Sequence, residues 1–358
     1  SGGSELPGVD VFRLYDTYGL PLELIREIAE EEQFHLDLPG FEEALEDQRS
    51  RSRQAGGDSQ QQLAAVGEVL KDDQRSAGEF VGYRSLDVDG VRVTALARST
   101  DDSYEQVAKL DPGERGIALL DVSPFYAEAG GQVGDRGHLI WSGGSARIDD
   151  TLREPSGERA HFVEIEEGSL PLDSQVSAHV DQTRRRPTQR NHTATHLLHL
   201  ALRHVLGDNV RQAGSMVAPD RLRFDFTFHR PLTQEELHRI EELVNHWILL
   251  AQPMVITEDR SHAEAVEAGA MALFGEKYGD RVRTVEVTDL DTGGPESEQL
   301  TSFELCGGCH VNNTGEIGLM VITAERGVAS GVRRIEALTG EGAHMLVRHQ
   351  RDLLEEVS

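Results

Sequence analysis

Hydrophobic positions along the chain follow two periods, and its organisation shows where one gives way to the other. From residue 9 to 34 apolar residues recur at helical spacing (Leu22, Ile25, Ile28, Ala29), with Pro21 tolerable in a first turn. Residues 41–54 read as a second amphipathic helix, broken at Gly56-Gly57. A polar, Gln-rich stretch then runs to Ser76 around a short helix. Between residues 80 and 180 the period changes to two. Residues 91–97, 116–122, 137–141 and 160–165 read as strands, and short strands separated by Gly, Asp and Pro turns predict a small β-barrel. Helical spacing returns at residues 187–206, where Leu197, Leu198, Leu200, Leu202, Val205 and Leu206 form an apolar run. A strand follows at 221–228. Pro231 and Thr233 then cap a long helix to Leu250, with Leu237, Ile240, Leu243, Val244 and Trp247 on its core face. Strands at 282–287, 318–324 and 332–338 and a helix over 341–358 complete an α+β chain. The expected division is a helical segment (1–76), a barrel carrying a Gly-rich motif (77–182), an α/β core (183–340) and the start of a linker helix (341–358).

Charge and cysteine content narrow the function. The 358 residues suffice for two or three cores. No apolar run approaches the roughly 20 residues that span a bilayer, so no membrane association is expected. Only two cysteines occur, three apart, which excludes a disulfide framework and makes a reducing cytoplasm the simplest location. The net charge of -28 opposes non-specific binding to a polyanion. A nucleic-acid reader would need a local basic surface. Arg184, Arg185, Arg186 and Arg190 lead into the third helix, and Arg203, Arg211, Arg221 and Arg223 follow it. Lys277, Arg281, Arg283, Arg326, Arg333 and Arg334 lie further on. Runs of this kind are more often solvated faces, so composition alone does not predict RNA.

Two clusters carry the chemistry. His192 and His196, four apart on a predicted helix, lie on one face and converge on one point. Cys306-Gly307-Gly308-Cys309-His310 places a thiol and an imidazole four apart across a Gly-Gly pair that favours a tight loop. Two histidines, a thiolate and a third histidine form a ligand set for a borderline-soft ion, zinc before others. Each half alone is weaker: the chain has fifteen histidines, and Cys306 with Cys309 also forms a C-x-x-C redox pattern. No βαβ pattern of thioredoxin type surrounds that dithiol, and a ligand histidine follows it at once.

With these residues in view, the chain resembles the editing domain of alanyl-tRNA synthetase and its free-standing relatives. The resemblance rests on N-H-T-A-T-H-L-L-H from Asn191 and L-C-G-G-C-H-V from Leu305, and it extends to Val210-Arg211-Gln212-Ala213-Gly214-Ser215, Leu222-Arg223-Phe224-Asp225-Phe226 and Phe274-Gly275-Glu276-Lys277-Tyr278-Gly279-Asp280. Thr314-Gly315-Glu316-Ile317-Gly318 and the stretch from Gly327 to Glu336 also fit. Upstream, Phe125-Tyr126-Ala127-Glu128-Ala129-Gly130-Gly131-Gln132 and the stretch from Phe12 to Pro21 are similar to the synthetase, so essentially the whole chain is covered.

The resemblance implies a helical segment closing the tRNA-recognition region, the barrel, and a zinc-containing editing core like that of alanyl- and threonyl-tRNA synthetases. It implies one zinc ion on His192, His196, Cys306 and His310. Gly130, Gly131 and Gln132 are expected to handle the tRNA acceptor end, although a Gly-rich tight turn needs no ligand. Gln212 is expected in the pocket, where its amide orients water or the substrate amine. Thr193 and Thr195 are expected to offer a hydroxyl to a serine side chain, or simply to cap the helix. Arg190, Arg211, Lys277, Arg333 and Arg334 are expected to meet RNA. The implied reaction is deacylation of Ser-tRNA(Ala), and of Gly-tRNA(Ala). A pocket sized for alanine discriminates by only about 1–3 kcal/mol per methylene, and a second hydrolytic site demanding a hydroxyl corrects this. The class II catalytic domain that precedes this region in the family has no counterpart here, so neither aminoacylation nor ATP binding is expected. Two departures bear on substrate choice: Cys309 replaces the threonine of C-G-G-T-H, and Gln212-Ala213-Gly214 lacks the lysine of Q-K-G. The alternatives are a repurposed aminoacyl-transfer enzyme and a non-catalytic, zinc-stabilised tRNA-binding module.

Overall fold

The computed structural model describes residues 5–16, 25–26, 28–29, 34–41, 69, 77–100, 103–154, 157–272, 278–293, 297–329 and 331–357. By contact the chain falls into two units, residues 1–68 and 69–358. In the first, helix α1 (Gly8–Asp16) follows strand Glu5–Leu6, which pairs in parallel with His35–Leu36. Val11, Ile25 and Phe41 form its buried core, with Leu6, Phe12 and Leu36 packed around it. The Asp37 carboxylate accepts the backbone N–H groups of Gly8 and Gly40, tying the start of α1 to the later turn. The stretch of helical spacing expected over 9–34 is described only in part, and the helix expected over 41–54 lies, beyond Phe41, outside the described residues. So does the polar stretch to Ser76, apart from residue 69.

The second unit opens with the barrel. Its strands are β1 (Asp87–Ser99), β2 (Arg115–Leu120), β3 (Gly137–Trp141), β4 (Gly144–Arg153), β5 (Arg159–Glu167) and β6 (Gln175–Val180). Antiparallel pairing runs β6-β3-β4-β5-β2-β1, and β6 also pairs with β1, so the six strands close on themselves. Closure abolishes the unpaired edges of an open sheet. Val93, Leu96, Phe125, Leu139, Ile148 and Ile165 fill the interior. All four expected strands are present. Strand β4 escapes a sequence reading because Arg147, Asp149 and Asp150 interrupt its apolar alternation; Ala146, Ile148 and Thr151 are its buried positions.

His161 sits fully buried on β5. Its Nδ1 lies 2.9 Å from the Ala118 carbonyl, which can only accept, so Nδ1 carries the hydrogen and Nε2 accepts from the Ser123 hydroxyl at 2.8 Å. Burial drives its pKa down to about 4, against the opposing hydrogen bond to Ala118. The unfolded chain therefore takes up a proton near the ordinary value of about 6.5, where the fold does not. The stability this neutral imidazole contributes is complete above that value and is lost as pH falls towards about 4. The shift corresponds to roughly 3 kcal/mol. Urea unfolding is expected to show stability falling across this window, with a shallower slope in His161→Phe; equal slopes would contradict the assignment.

The remainder of the unit is a layered α/β core. Helix α2 (Gln182–Leu206) starts with the Asp181 side chain accepting from Thr183 N. It begins before the predicted residue 187 because it runs through Pro187, a residue that normally marks a boundary. Four antiparallel strands follow in the order β7 (Gln212–Val217), β8 (Leu222–Thr227), β13 (Val332–Thr339) and β12 (Met320–Ala329). Helix α3 (Gln234–Leu249) opens with a reciprocal capping box between Thr233 and Glu236. Leu197, Leu198 and Leu202 of α2 share one core with Phe224, Phe226, Trp247 and Ile335. A second sheet joins β9 (Val255–Ser261), β10 (Arg281–Asp291) and β11 (Gln299–Leu305), with the short helix α4 (His262–Glu267) beside it. Helix α5 (Gly340–Val357) closes the described chain, and no described helix is long and apolar enough to cross a membrane.

Candidate metal centre

The centre of α2 is buried on every side, from Asn191 through Leu202. Polar side chains there must find partners, since an unmet buried donor or acceptor is destabilising. The rings of His192 and His196 stack nearly parallel, with centroids 5.3 Å apart, as their four-residue spacing requires. Facing them is the loop that leaves β11. Gly308 passes so close to His192 that an added Cβ would lie 1.9 Å from Cε1, so only glycine fits. Arg283 of β10 fixes the loop, its Nη1 donating to the carbonyls of Cys306 (2.8 Å) and Gly308 (2.9 Å). The same guanidinium lies over the Tyr83 ring, whose hydroxyl donates to the Gly307 carbonyl.

These elements bring one ligand atom each from His192, His196, Cys306 and His310 within 4.8 Å of one another. Cys306 Sγ is 3.4 Å from Nε2 of both His192 and His310. The far side of each ring is held in turn. His192 Nδ1 lies 2.7 Å from Gln132 Oε1, an oxygen that also accepts from Cys309 N at 2.8 Å. His196 Nδ1 donates to Glu304 Oε2 at 2.7 Å, and His310 Nδ1 lies 3.1 Å from Thr193 Oγ1. Such partners fix tautomer and ring orientation, leaving Nε2 for a metal. His196 Nε2 is buried and has no hydrogen-bond partner, the condition expected of a metal ligand. Three imidazole nitrogens and a thiolate sulfur match the donor preference of zinc, so the residues present fit the ion.

Electrostatics within the cluster are sharply divided. Burial works against a charge on His196, but Glu304 and Cys306 outweigh it and raise its pKa to about 10. Burial and repulsion from His192 take His310 down to about 3. The Cys306 thiol is pushed up by burial, yet the neighbouring imidazoles hold it well below the ordinary thiol range. Cys309 behaves oppositely: burial lifts it to about 11, and it is not among the four converging groups.

A cavity of about 140 Å³ adjoins the cluster. Gln212 and Thr195 both line it, as do Gly130, Ser215, Phe224 and His199. The Thr195 hydroxyl donates to the Asn191 carbonyl at 2.8 Å, leaving its oxygen able to accept. Thr193 is fully buried and turns instead to His310 and the Val311 N–H. Gly130 and Gly131 adopt positive φ in the turn before Gln132, and a Cβ on Gly131 would meet the Ser215 carbonyl at 2.5 Å. Gln132 itself is fully buried beneath the histidines rather than at an exposed surface.

Several of the basic residues are engaged within the protein, while Arg186, Arg211, Arg221 and Arg281 are exposed. Arg185, read as part of a basic run, is buried and paired with Asp135. Arg333 is bound to Glu325, Arg334 to Asp225, and Arg326 to Glu336. Arg190 donates to the Glu316 carbonyl, and Arg211 to those of Asp208 and Val210. Lys277 lies outside the described residues. Sequence reasoning missed Glu304 and His199 as members of the site. Both left traces: Glu304 is a carboxylate between Phe303 and Leu305, two residues before Cys306, and His199 continues the helical stripe of His192 and His196.

Residues 1–184, just over half of the chain, match the family model of class II (A) tRNA synthetases. Residues 282–336 match the second additional domain of threonyl and alanyl tRNA synthetases. An alanine–tRNA ligase of Thermus thermophilus is 50% identical over 348 residues, covering 97% of this chain and 38% of the relative. Similar proteins of the same name from a Roseiflexus species (48% over 369 residues, 100% and 40% covered) and Bacillus mycoides (46% over 356 residues, 99% and 38%) match equally broadly. The chain thus spans about two fifths of the length of these relatives.

Proposed function

From the premise that this chain belongs to the alanyl-tRNA synthetase family, we propose that it is the part that edits mischarged tRNA(Ala), hydrolysing the ester of Ser-tRNA(Ala). The supporting observation is the convergence of four ligand atoms, from three buried histidines and the half-buried Cys306, beside a small cavity partly lined by polar groups. His192, His196, Cys306 and His310 would hold one zinc ion. When bound, zinc supplies Lewis acidity at the ester carbonyl and fixes the orientation of the acceptor end.

The protein's own groups do the rest. Hydrolysis needs a water aimed at the carbonyl and donors for the developing oxyanion. Gln212, on the cavity wall, offers an amide that both donates and accepts, suited to holding that water or the substrate amine. The Thr195 oxygen can accept from a substrate donor, while Thr193 serves by positioning His310. The turn at Gly130 admits substrate close to the backbone, because no side chain projects there.

Gln132 then has a positioning role through His192. Replacing it with leucine removes the acceptor for His192 Nδ1–H and is expected to weaken zinc binding about 10- to 100-fold, measured by chelator competition. An unchanged zinc affinity with weakened tRNA binding would restore it to RNA contact.

The reading is tested by following serine release from Ser-tRNA(Ala), with and without chelator, beside Ala-tRNA(Ala). Chelator-sensitive loss of serine alone is the expected result. Release from neither substrate would overturn it.

A further inference from the structure

His199 is absorbed by neither the ligand set nor the hydrolytic chemistry, yet it is a built part of the pocket. It follows His196 by three residues, about 4.5 Å further along the helix axis. Its ring packs on Phe224 with centroids 5.2 Å apart, and it is 4% exposed. Nδ1 lies 2.9 Å from Glu304 Oε1, while the other oxygen of that carboxylate takes His196. A carboxylate oxygen accepts, so Nδ1 of His199 carries the hydrogen, and in the neutral ring Nε2 presents a lone pair. That atom is buried with no hydrogen-bond partner, and the ring lines the cavity. His196 Nε2 is unpartnered for a clear reason, since it belongs to the converging ligand atoms; His199 does not.

An unmet acceptor in a substrate pocket calls for a donor on the substrate. Resting on the editing function proposed above, we infer that His199 Nε2 accepts the side-chain hydroxyl of the aminoacyl group and so makes the pocket select serine over alanine. Three candidate donors enter such a pocket. A resident water would need two to four polar partners, and Phe224 occupies one flank of the ring. The α-amine is attached next to the carbonyl carbon, and so stays with the reacting end. The hydroxyl of serine is one bond further out, which suits a residue set one helical step beyond the ligands. Alanine would leave Nε2 buried and unsatisfied, and sites built for a hydroxyl reject analogues that lack it far better than size alone allows. Glu304 thereby serves two rings at once, orienting His196 towards the ligand cluster and His199 towards the substrate.

The test is binding of non-hydrolysable seryl and alanyl amides of 3'-amino-3'-deoxyadenosine to the full zinc-loaded chain, by calorimetry. The seryl analogue is expected to bind at least about 10-fold more tightly. His199→Asn keeps a donor for Glu304 and removes the acceptor at the Nε2 position, its own oxygen lying closer to the backbone. It is expected to cost the seryl analogue about 10-fold and the alanyl analogue less than about 3-fold. His199→Gln, which returns an amide near the Nε2 position, is expected to recover part of the preference, and it carries the comparison if the asparagine variant does not retain zinc. Equal losses for both analogues, or a preference that survives in both variants, would overturn the assignment. Serine-selective binding by a wild-type chain that releases no serine from Ser-tRNA(Ala) would sink the editing reading and leave His199 as assigned. Serine release with an undiminished preference in the variants would do the reverse.

Discussion

Replacing Cys306 by alanine is expected to lower zinc affinity at least about 100-fold and to remove serine-releasing activity in proportion. Changes to supporting residues alone typically cost 10- to 100-fold, and Cys306 is proposed as a direct ligand. The loop around it is held independently, through the Arg283 guanidinium on two carbonyls and the Tyr83 hydroxyl on a third. Alanine therefore leaves the backbone in place and removes the sulfur that lies 3.4 Å from two imidazole nitrogens. The thermal stabilisation expected from added zinc in the wild type should be absent in this variant, because a ligand stabilises only the state that binds it. The control is Cys309→Ala, which lies three residues on but outside the converging set. Chelator competition and melting curves on both variants decide the matter. A Cys309 variant that loses zinc as severely as Cys306→Ala would show that the ligands are wrongly assigned.

The second large effect is on stability. Arg185 and Asp135 are 1% and 6% exposed by side chain, so their charges face each other out of water. Arg185 Nε is 3.0 Å from each oxygen of Asp135, and its two terminal nitrogens donate to the carbonyls of Gly82 (2.7 Å) and Pro124 (3.0 Å). Arg185→Met strands a buried carboxylate and two carbonyls, and is expected to destabilise the chain by about 3–5 kcal/mol. Asp135→Leu should cost a similar amount. The double variant is expected to recover much of the loss, since a well-packed apolar pair often matches a buried ion pair. Urea denaturation of the four proteins at neutral pH provides the cycle. Additive losses would mean that the two residues do not act as a pair.

What the sequence disclosed, and what it hid, follows from the distance over which each signal acts. His192 with His196, and Cys306 with His310, are short-range patterns set by one helical turn and one tight loop. Their convergence was legible because both halves carry ligand chemistry. The groups that orient them were not: Gln132 is 60 residues from His192, and Glu304 is 108 from His196. Periodicity carries no information at that range. The barrel was recognised from four of its strands, while β4 and β6 went unseen, in the case of β4 because charges on its outer face mask the alternation. Pro187 hid the first turns of α2, and Arg185, inside those turns, looked like one more solvated cation. The acidic excess that seemed at odds with RNA has a local expression in the fold: carboxylates sit against Arg326, Arg333 and Arg334.

A single atom, Oε1 of Gln132, touches both the ring of His192 and the backbone of Cys309. For protein engineering this means that the helix and the ligand loop are not a portable cassette. Grafted onto another scaffold without the barrel turn, they would bring all four donors and still leave one imidazole free to spin and one amide bare. A successful transplant would have to carry Gln132 with them, or invent a replacement for its oxygen at the same spot.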